Sequence, residues 1–273
     1  MKELIYYINQ ERYSLTVEGN SFIGRDNILL LEDDDLTLGT SWHRQGYIVS
    51  DSLPLDYYES LVKNLTDVIQ GSVEKILGKK IKDFFLENYH YYVNDNEHVA
   101  VVHELQAQSA ITCFPLSYQV LDQEVSKLCQ KELSCFLPNN IFSGRFFIRI
   151  IRPNSRDYNP PHRDVWLDHL RNAVNMYLPL AGSGDNSNLS LIPNSHHWKE
   201  SELERTVSGA TVNGTSYRVP SVIGSVHGLY MIRPRVDNGQ FLLFSPYLVH
   251  GGAINNHPNK TRVSLEMRFW RSK

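Results

Sequence analysis

From about residue 139 to the C-terminus, short runs rich in Val, Ile, Phe, Leu and Tyr are separated by Gly, Pro and Asn turns: FFIRIIR, AVNMYLPL, NLSLIP, GLYMIR, QFLLFSP and TRVSLEMRFW. Strands in such succession, with no helical periodicity between them, predict an antiparallel sandwich or barrel. The last run is the most informative. Alternation places Val263, Leu265, Met267 and Phe269 on one face and Arg262, Ser264, Glu266 and Arg268 on the other. On a sandwich such a polar face meets solvent, but in a small barrel it can line a ligand cavity. AVNMYLPL repeats the pattern, with Asn175 and Tyr177 opposite Val174, Met176 and Leu178. Two strands of this kind fit a barrel with a polar interior.

Upstream the texture is helical. Gln45–Val49 reads as a short strand, and Ser52 is a candidate cap for a helix whose Leu61, Leu65, Val68 and Ile69 share one face. Further helical patterns cover 79–93, 97–110 and 116–135, the last with Val120, Leu121, Val125 and Leu128 on one stripe. His103-Glu104 resembles the start of a zinc-protease helix motif, but Ala107 stands where the second histidine would be. The first 40 or so residues form a short β-rich leader ending in the acidic run Glu32 to Asp35. That run lacks the spaced oxygen ligands and glycine of a calcium loop and reads as a solvated turn. The expected organisation is one domain: a leader over 1–41, a mostly helical support over 42–138, and a β-barrel core over 139–273. The long stretch 199–225, rich in Ser, Gly, Thr and Val, exceeds a usual connection and is expected to be a lid or binding loop.

Composition narrows the class of partner. A 273-residue chain with 41% hydrophobic and 21% charged residues can bury a sizeable core. A net charge of -3 gives no basic footprint for nucleic acid. No apolar run approaches the ~18 residues a membrane span needs, and no signal-peptide pattern opens the chain. Cys113, Cys129 and Cys135 are odd in number with no C-x-x-C spacing, as expected of reduced thiols in a cytoplasmic protein. A small-molecule partner is expected. Oligomeric state is not legible in the sequence.

The stretch PPHRDVWLDH contains His162 and Asp164, an H-x-D triplet that means little alone. His250 follows 86 positions after Asp164, at the end of a strand and just before Gly251-Gly252, which would let backbone approach a ligand closely. Together the three make a two-histidine, one-carboxylate set, the facial triad that leaves adjacent positions open on non-haem Fe(II). Twelve positions beyond His250 comes Arg262, then Ser264. A guanidinium fork with a nearby hydroxyl is suited to holding a distal carboxylate.

On these residues the chain resembles the phytanoyl-CoA dioxygenase-like branch of the Fe(II)/2-oxoglutarate oxygenases. AVNMYLPLAGSGDNSNLSLIPNSHHW is similar to that branch's strand, acidic or amide loop, second strand and Pro-Gly-Ser-His turn, with Asn194 replacing glycine. HRQGYIVSDSLPLDYYESLVKNL is similar to its N-terminal strand and helix. Asn tolerates positive φ, so the turn should survive. The resemblance covers about 42–270 and implies a mainly β fold: a double-stranded β-helix (jelly-roll, cupin-like) barrel flanked by helices, with a helical N-terminal half. It implies that His162, Asp164 and His250 bind Fe(II) and that Arg262, helped by Ser264, holds the C5 carboxylate of 2-oxoglutarate. Asn175 and Tyr177 are candidates for steadying that cosubstrate. It further implies reaction with O2, decarboxylation of 2-oxoglutarate to succinate, and hydroxylation of a small molecule such as a carbohydrate or secondary metabolite, with ascorbate a candidate reductant. Halogenases of the superfamily have a small residue in place of Asp164, so the carboxylate favours hydroxylation.

Each residue has a plainer reading when taken singly: a loop histidine, a surface arginine. Trp166 can wall the substrate pocket or simply pack, and Arg233, Arg235 and the inward-facing Arg268 can be structural charges or meet a substrate. His169, His196, His197, His227 and His257 read as loop or supporting histidines. The alternative at the level of function is a cupin-like metal-binding isomerase, or a non-catalytic binding protein of the same fold. Neither needs a carboxylate clamp at Arg262.

Overall fold

A computed structural model of the chain describes residues 1–155 and 157–272. In order, its strands and helices are β1 (Lys2–Ile8), β2 (Glu11–Glu18), β3 (Ser21–Ile23), β4 (Tyr47–Ser50), α1 (Leu55–Leu77), α2 (Tyr89–Tyr92), α3 (Asp95–Ala107), α4 (Gln119–Cys129), β5 (Leu133–Ser134), β6 (Phe146–Ile151), β7 (Ala173–Ala181), β8 (Leu203–Thr206), β9 (Ala210–Val212), β10 (Thr215–Tyr217), β11 (Val222–Ser225), β12 (Tyr230–Met231), β13 (Phe241–Phe244) and β14 (Arg262–Arg271). The fold is mostly β, in keeping with a jelly-roll.

The largest sheet runs β4-β13-β7-β14-β5, with β6 also paired to β14. One of its faces is greasy: Val174, Met176 and Leu178 of β7 and Val263, Leu265, Met267 and Phe269 of β14 join Leu61, Leu65 and Ile69 of α1, Val101 and Leu105 of α3, and Leu121 and Val125 of α4 in one core. The alternation read from the sequence is therefore realised. β7 carries Pro179 in a central strand, where it has no N–H to donate. The register slips between Val263 and Ser264 at this point, a bulge that absorbs the missing donor.

The leader is structural. β1 and β2 form a hairpin whose two-residue turn, Asn9-Gln10, has positive φ at both positions (49° and 72°), the geometry that matches strand twist. This hairpin sits inside the five-stranded sheet β10-β9-β2-β1-β12 and buries Leu4, Tyr6 and Ile8. A third sheet runs β11-β8-β3. Bridges at Leu191–Ile232, Leu191–His250 and His162–His250, with the Val222 N–H on the Pro161 carbonyl, continue the ladder from β12 past the candidate ligands towards β11.

Several expectations change. The N-terminal half is not helical as a whole, because four strands precede α1. The 79–93 stretch is not one helix: it holds a single 3-10 turn (Leu86–Asn88) and the one-turn α2, after Asp83 takes a left-handed φ of 52°. Aromatic tertiary contacts explain this, with Phe84 stacked on Tyr92 at 5.0 Å and the Tyr89 hydroxyl on His98 Nδ1 at 3.0 Å. Ser52 does not cap α1; it bonds the Ser50 hydroxyl, and Pro54 occupies the cap. Within 199–225 lie four strands, two of them joined at Asn213-Gly214, both at positive φ. That Asn-Gly signal, flanked by Thr and Val, makes a hairpin out of what length alone suggested was irregular. In the acidic run, Asp35 is buried rather than solvated, bonded to Thr37 and 3.1 Å from His43 Nδ1.

Candidate metal centre

Backbone geometry brings the ligand set together. His162 and His250 are directly opposed in an antiparallel bridge, His162 N–H to His250 O at 2.8 Å and His250 N–H to His162 O at 2.9 Å. Opposed residues project their side chains to the same side. Arg163 is extended (φ -111°, ψ 133°), so Asp164, two residues after His162, returns to that side while Arg163 points away. Gly251 has φ 102°, and a Cβ there would lie 2.5 Å from the Pro160 carbonyl and 3.0 Å from His162 Nδ1. The glycines after His250 thus make room for the strand carrying His162, rather than for a ligand.

The three ligating atoms lie within 4.8 Å of one another, all on buried side chains. His162 Nε2 is 3.2 Å and His250 Nε2 3.7 Å from Asp164 Oδ1. Each imidazole is oriented through its other nitrogen: His162 Nδ1 meets the Pro160 carbonyl at 2.7 Å, and His250 Nδ1 the Leu248 carbonyl at 3.0 Å. Only an N–H can satisfy a carbonyl, so Nδ1 carries the proton and Nε2 presents its lone pair. Burial and the neighbouring His162 push the His250 pKa down to about 4, keeping it neutral. Burial alone would raise the Asp164 carboxyl, but Arg268 and the two histidines outweigh it and hold it well below the usual range. Asp164 Oδ2 accepts from Asn175 Nδ2 and Arg268 Nη2, both at 3.0 Å, which leaves Oδ1 free to face a metal. The set suits a borderline divalent transition metal.

Beside this cluster lies a cavity lined by Arg149, Ile151, Asp157, Tyr158, Asn175, Phe244, Arg262, Glu266 and Arg268 as well as by the triad. Arg262 is 3% exposed; its Nη1 donates to the Ser187 carbonyl at 2.8 Å, and its guanidinium lies 5.7 Å from the Tyr177 ring. Its Nε, the Ser264 hydroxyl and Asn175 Oδ1 are buried without partners, the condition expected of groups shaped for an absent polar ligand. A carboxylate-bearing cosubstrate fits them. Tyr177 is fully buried against Arg262, with its hydroxyl 3.0 Å from Ser183 Oγ.

Other candidates stand elsewhere. Trp166 Nε1 donates to Glu200 Oε2 at 3.1 Å, with Arg205 stacked on the ring, away from the cavity lining. Arg233 is buried, its guanidinium spent on the carbonyls of Asn188 and Ile254. Arg235 is exposed and paired with Asp237. Asn194 adopts φ 65°, so the turn resembling Pro-Gly-Ser-His is kept. Arg149, Asp157, Tyr158 and Phe244 were not singled out from the sequence. Arg149 could have been: in FFIRII, Phe146, Ile148 and Ile150 face the core, so by alternation Phe147, Arg149 and Ile151 face the other way.

A two-histidine, one-carboxylate metal site on a mostly β scaffold is the class that fold and site define. The chain belongs to the phytanoyl-CoA dioxygenase family, whose profile matches residues 42–264. The β1–β2 hairpin lies outside that match. Among solved structures, it is similar to EctD from S. alaskensis with 2-oxoglutarate and 5-hydroxyectoine (15% identity, 94% of this chain and 84% of that one, TM-score 0.49). It is also similar to AviO1 from Streptomyces viridochromogenes Tue57 (13% identity, 83% and 90%, TM-score 0.45). A third is SnoN, the non-heme alpha ketoglutarate dependent epimerase from nogalamycin biosynthesis (12% identity, 84% and 79%, TM-score 0.42). No curated protein matches the chain in sequence.

Proposed function

We propose that this protein is a non-haem Fe(II)- and 2-oxoglutarate-dependent oxygenase that hydroxylates a small molecule, with the whole chain acting as one catalytic unit. The observation that carries this reading is the pairing of the converged triad with the unpartnered polar atoms of Arg262 and Ser264 beside it. His162 Nε2, His250 Nε2 and Asp164 Oδ1 would hold the metal, and Arg262 with Ser264 would take the far carboxylate of the cosubstrate. When bound, Fe(II) and 2-oxoglutarate supply the oxidising chemistry: O2 is split between substrate, which becomes an alcohol, and 2-oxoglutarate, which becomes succinate and CO2.

The chain's own groups supply position. The two carbonyl-anchored imidazoles cannot rotate without losing a buried hydrogen bond each. Asn175 and Arg268 occupy Oδ2 of Asp164 and so limit it to binding through Oδ1. Asn175, with Oδ1 still free, also faces the cosubstrate, and Tyr177 steadies Arg262 from behind. The free thiols of Cys113, Cys129 and Cys135 fit a reducing, cytoplasmic setting.

Anaerobic addition of Fe(II) and 2-oxoglutarate should produce the weak visible charge-transfer band of the chelate. His162→Ala should abolish it, and Arg262→Ala should raise the 2-oxoglutarate concentration needed by at least ~10-fold. A band unchanged by His162→Ala would rule the assignment out.

A further inference from the structure

On the reading of this site as an oxygenase, we infer that the substrate carries a carboxylate, and that Arg149 with Glu266 recognises it. Arg149 comes from β6 and Glu266 from β14, and both line the cavity. Arg149 Nε donates to Glu266 Oε2 at 3.0 Å, which fixes the plane of the guanidinium. Among the described residues, its two Nη groups have no hydrogen-bond partner. The two side chains are 35% and 23% exposed, and both line the cavity. Arg149 is therefore held by one edge and offers the other, the fork that binds a carboxylate through two parallel hydrogen bonds.

Charge balance points the same way. Three guanidinium groups (Arg149, Arg262 and Arg268) and three carboxylates (Asp157, Asp164 and Glu266) line the cavity. Asp157 is claimed from outside by Arg152 at 2.8 Å, Asp164 by Arg268, and Glu266 by Arg149. His250 is neutral. Every carboxylate that lines the cavity is therefore already paired, and none is left over to repel an anionic substrate. Position agrees as well. Arg149 and Asp157 also line a second recess, between α3 and β6, formed by Val102, Leu105 and Gln106 of the helix with Phe147 and Ile148 of the strand. The fork thus stands where that recess meets the metal cavity, able to hold the acid end of a molecule whose body reaches either side.

The test uses full-length protein loaded with Fe(II) and saturating 2-oxoglutarate under nitrogen. Aliphatic, aromatic and amino-substituted carboxylic acids, each paired with its primary amide, are titrated against the charge-transfer band. Acids should shift the band saturably while their amides bind about tenfold more weakly or worse. Arg149→Met should lose this preference by the same factor while keeping the unliganded band, and Arg149→Lys should recover part of it. The proposal is overturned if no acid shifts the band, if acids and amides shift it alike, or if Arg149→Met binds acids as wild type does. Absence of the band itself before any acid is added would instead remove the oxygenase reading on which the proposal rests.

Discussion

His162 and His250 hold each other in place through their main chains, each donating its N–H to the other's carbonyl across an antiparallel bridge. Two of the three proposed ligands are thereby paired by β-structure before any metal arrives, and Gly251 protects that pairing by leaving room for the Pro160 carbonyl. Gly251→Ala places a methyl 2.5 Å from that oxygen at a φ of 102°. We expect a loss of roughly 1–3 kcal/mol in urea unfolding of the metal-free protein. Fe(II) affinity measured by anaerobic calorimetry should fall about tenfold or more, because the bridge must open. Unchanged affinity would mean that the bridge does not set the ligand spacing.

The partners of Asp164 Oδ2 give a second test. Arg268→Met removes the Nη2 contact at 3.0 Å and the largest influence lowering that carboxyl, while Asn175→Leu removes only a neutral donor. Both should weaken metal binding, within the roughly 10–100-fold range usual for groups that orient ligands. Arg268→Met should have the larger effect. Equal losses would assign both side chains to packing rather than to the carboxylate.

How much of this was legible depended on whether the signal was local. The inward and outward faces of β7 and β14 follow from strict alternation, which any half-buried strand must show. The triad was legible because its residue types and spacing are unusual together. The fate of Trp166 was not, since its indole is fixed by Glu200, 34 positions away, through a buried ion network with no local trace. For Arg233 the sequence left a structural charge and a substrate contact both open, and only the fold shows its guanidinium used on two distant carbonyls. The leader was legible only as β-rich; its hairpin turn at Asn9-Gln10 was not read, and its place beside β12 is a long-range pairing that periodicity cannot show.

Arg163, between two proposed ligands, is fully buried and points into the protein. It donates to Glu200 Oε1, Ser195 O and Trp198 O, and Glu200 in turn receives Trp166. Burial pushes its pKa down to about 10, though Glu200 opposes that shift. A buried ion pair costs more to break by half than to replace whole. Glu200→Leu should therefore destabilise by about 3–5 kcal/mol, leaving an unpaired guanidinium, whereas adding Arg163→Met should restore part of the loss. Urea midpoints of the two single variants and the double variant decide it. A double variant weaker than Glu200→Leu alone would show that Arg163 contributes by packing.

A pH effect should come from His196, which is not one of the proposed ligands. Its ring is 1% exposed, lies 3.8 Å from His197 between centroids, and bonds the His43 carbonyl through Nε2 at 2.9 Å. Burial, then His197, lowers its pKa from 6.5 to about 4, so the folded protein keeps it neutral. The unfolded chain takes up its proton first as pH falls, so stability is full above about 6.5 and declines towards pH 4. Once both states are protonated, the loss from this residue levels off at about 3 kcal/mol. Urea unfolding between pH 7.5 and 4.5 should show the wild type losing stability steadily. His196→Gln keeps a donor for the His43 carbonyl and has nothing to titrate. It should start lower at neutral pH, yet decline less by up to the same amount, with His250, His197, His98, His169 and His90 accounting for the remaining slope. Parallel pH profiles for the two proteins would assign the acid sensitivity to those other histidines.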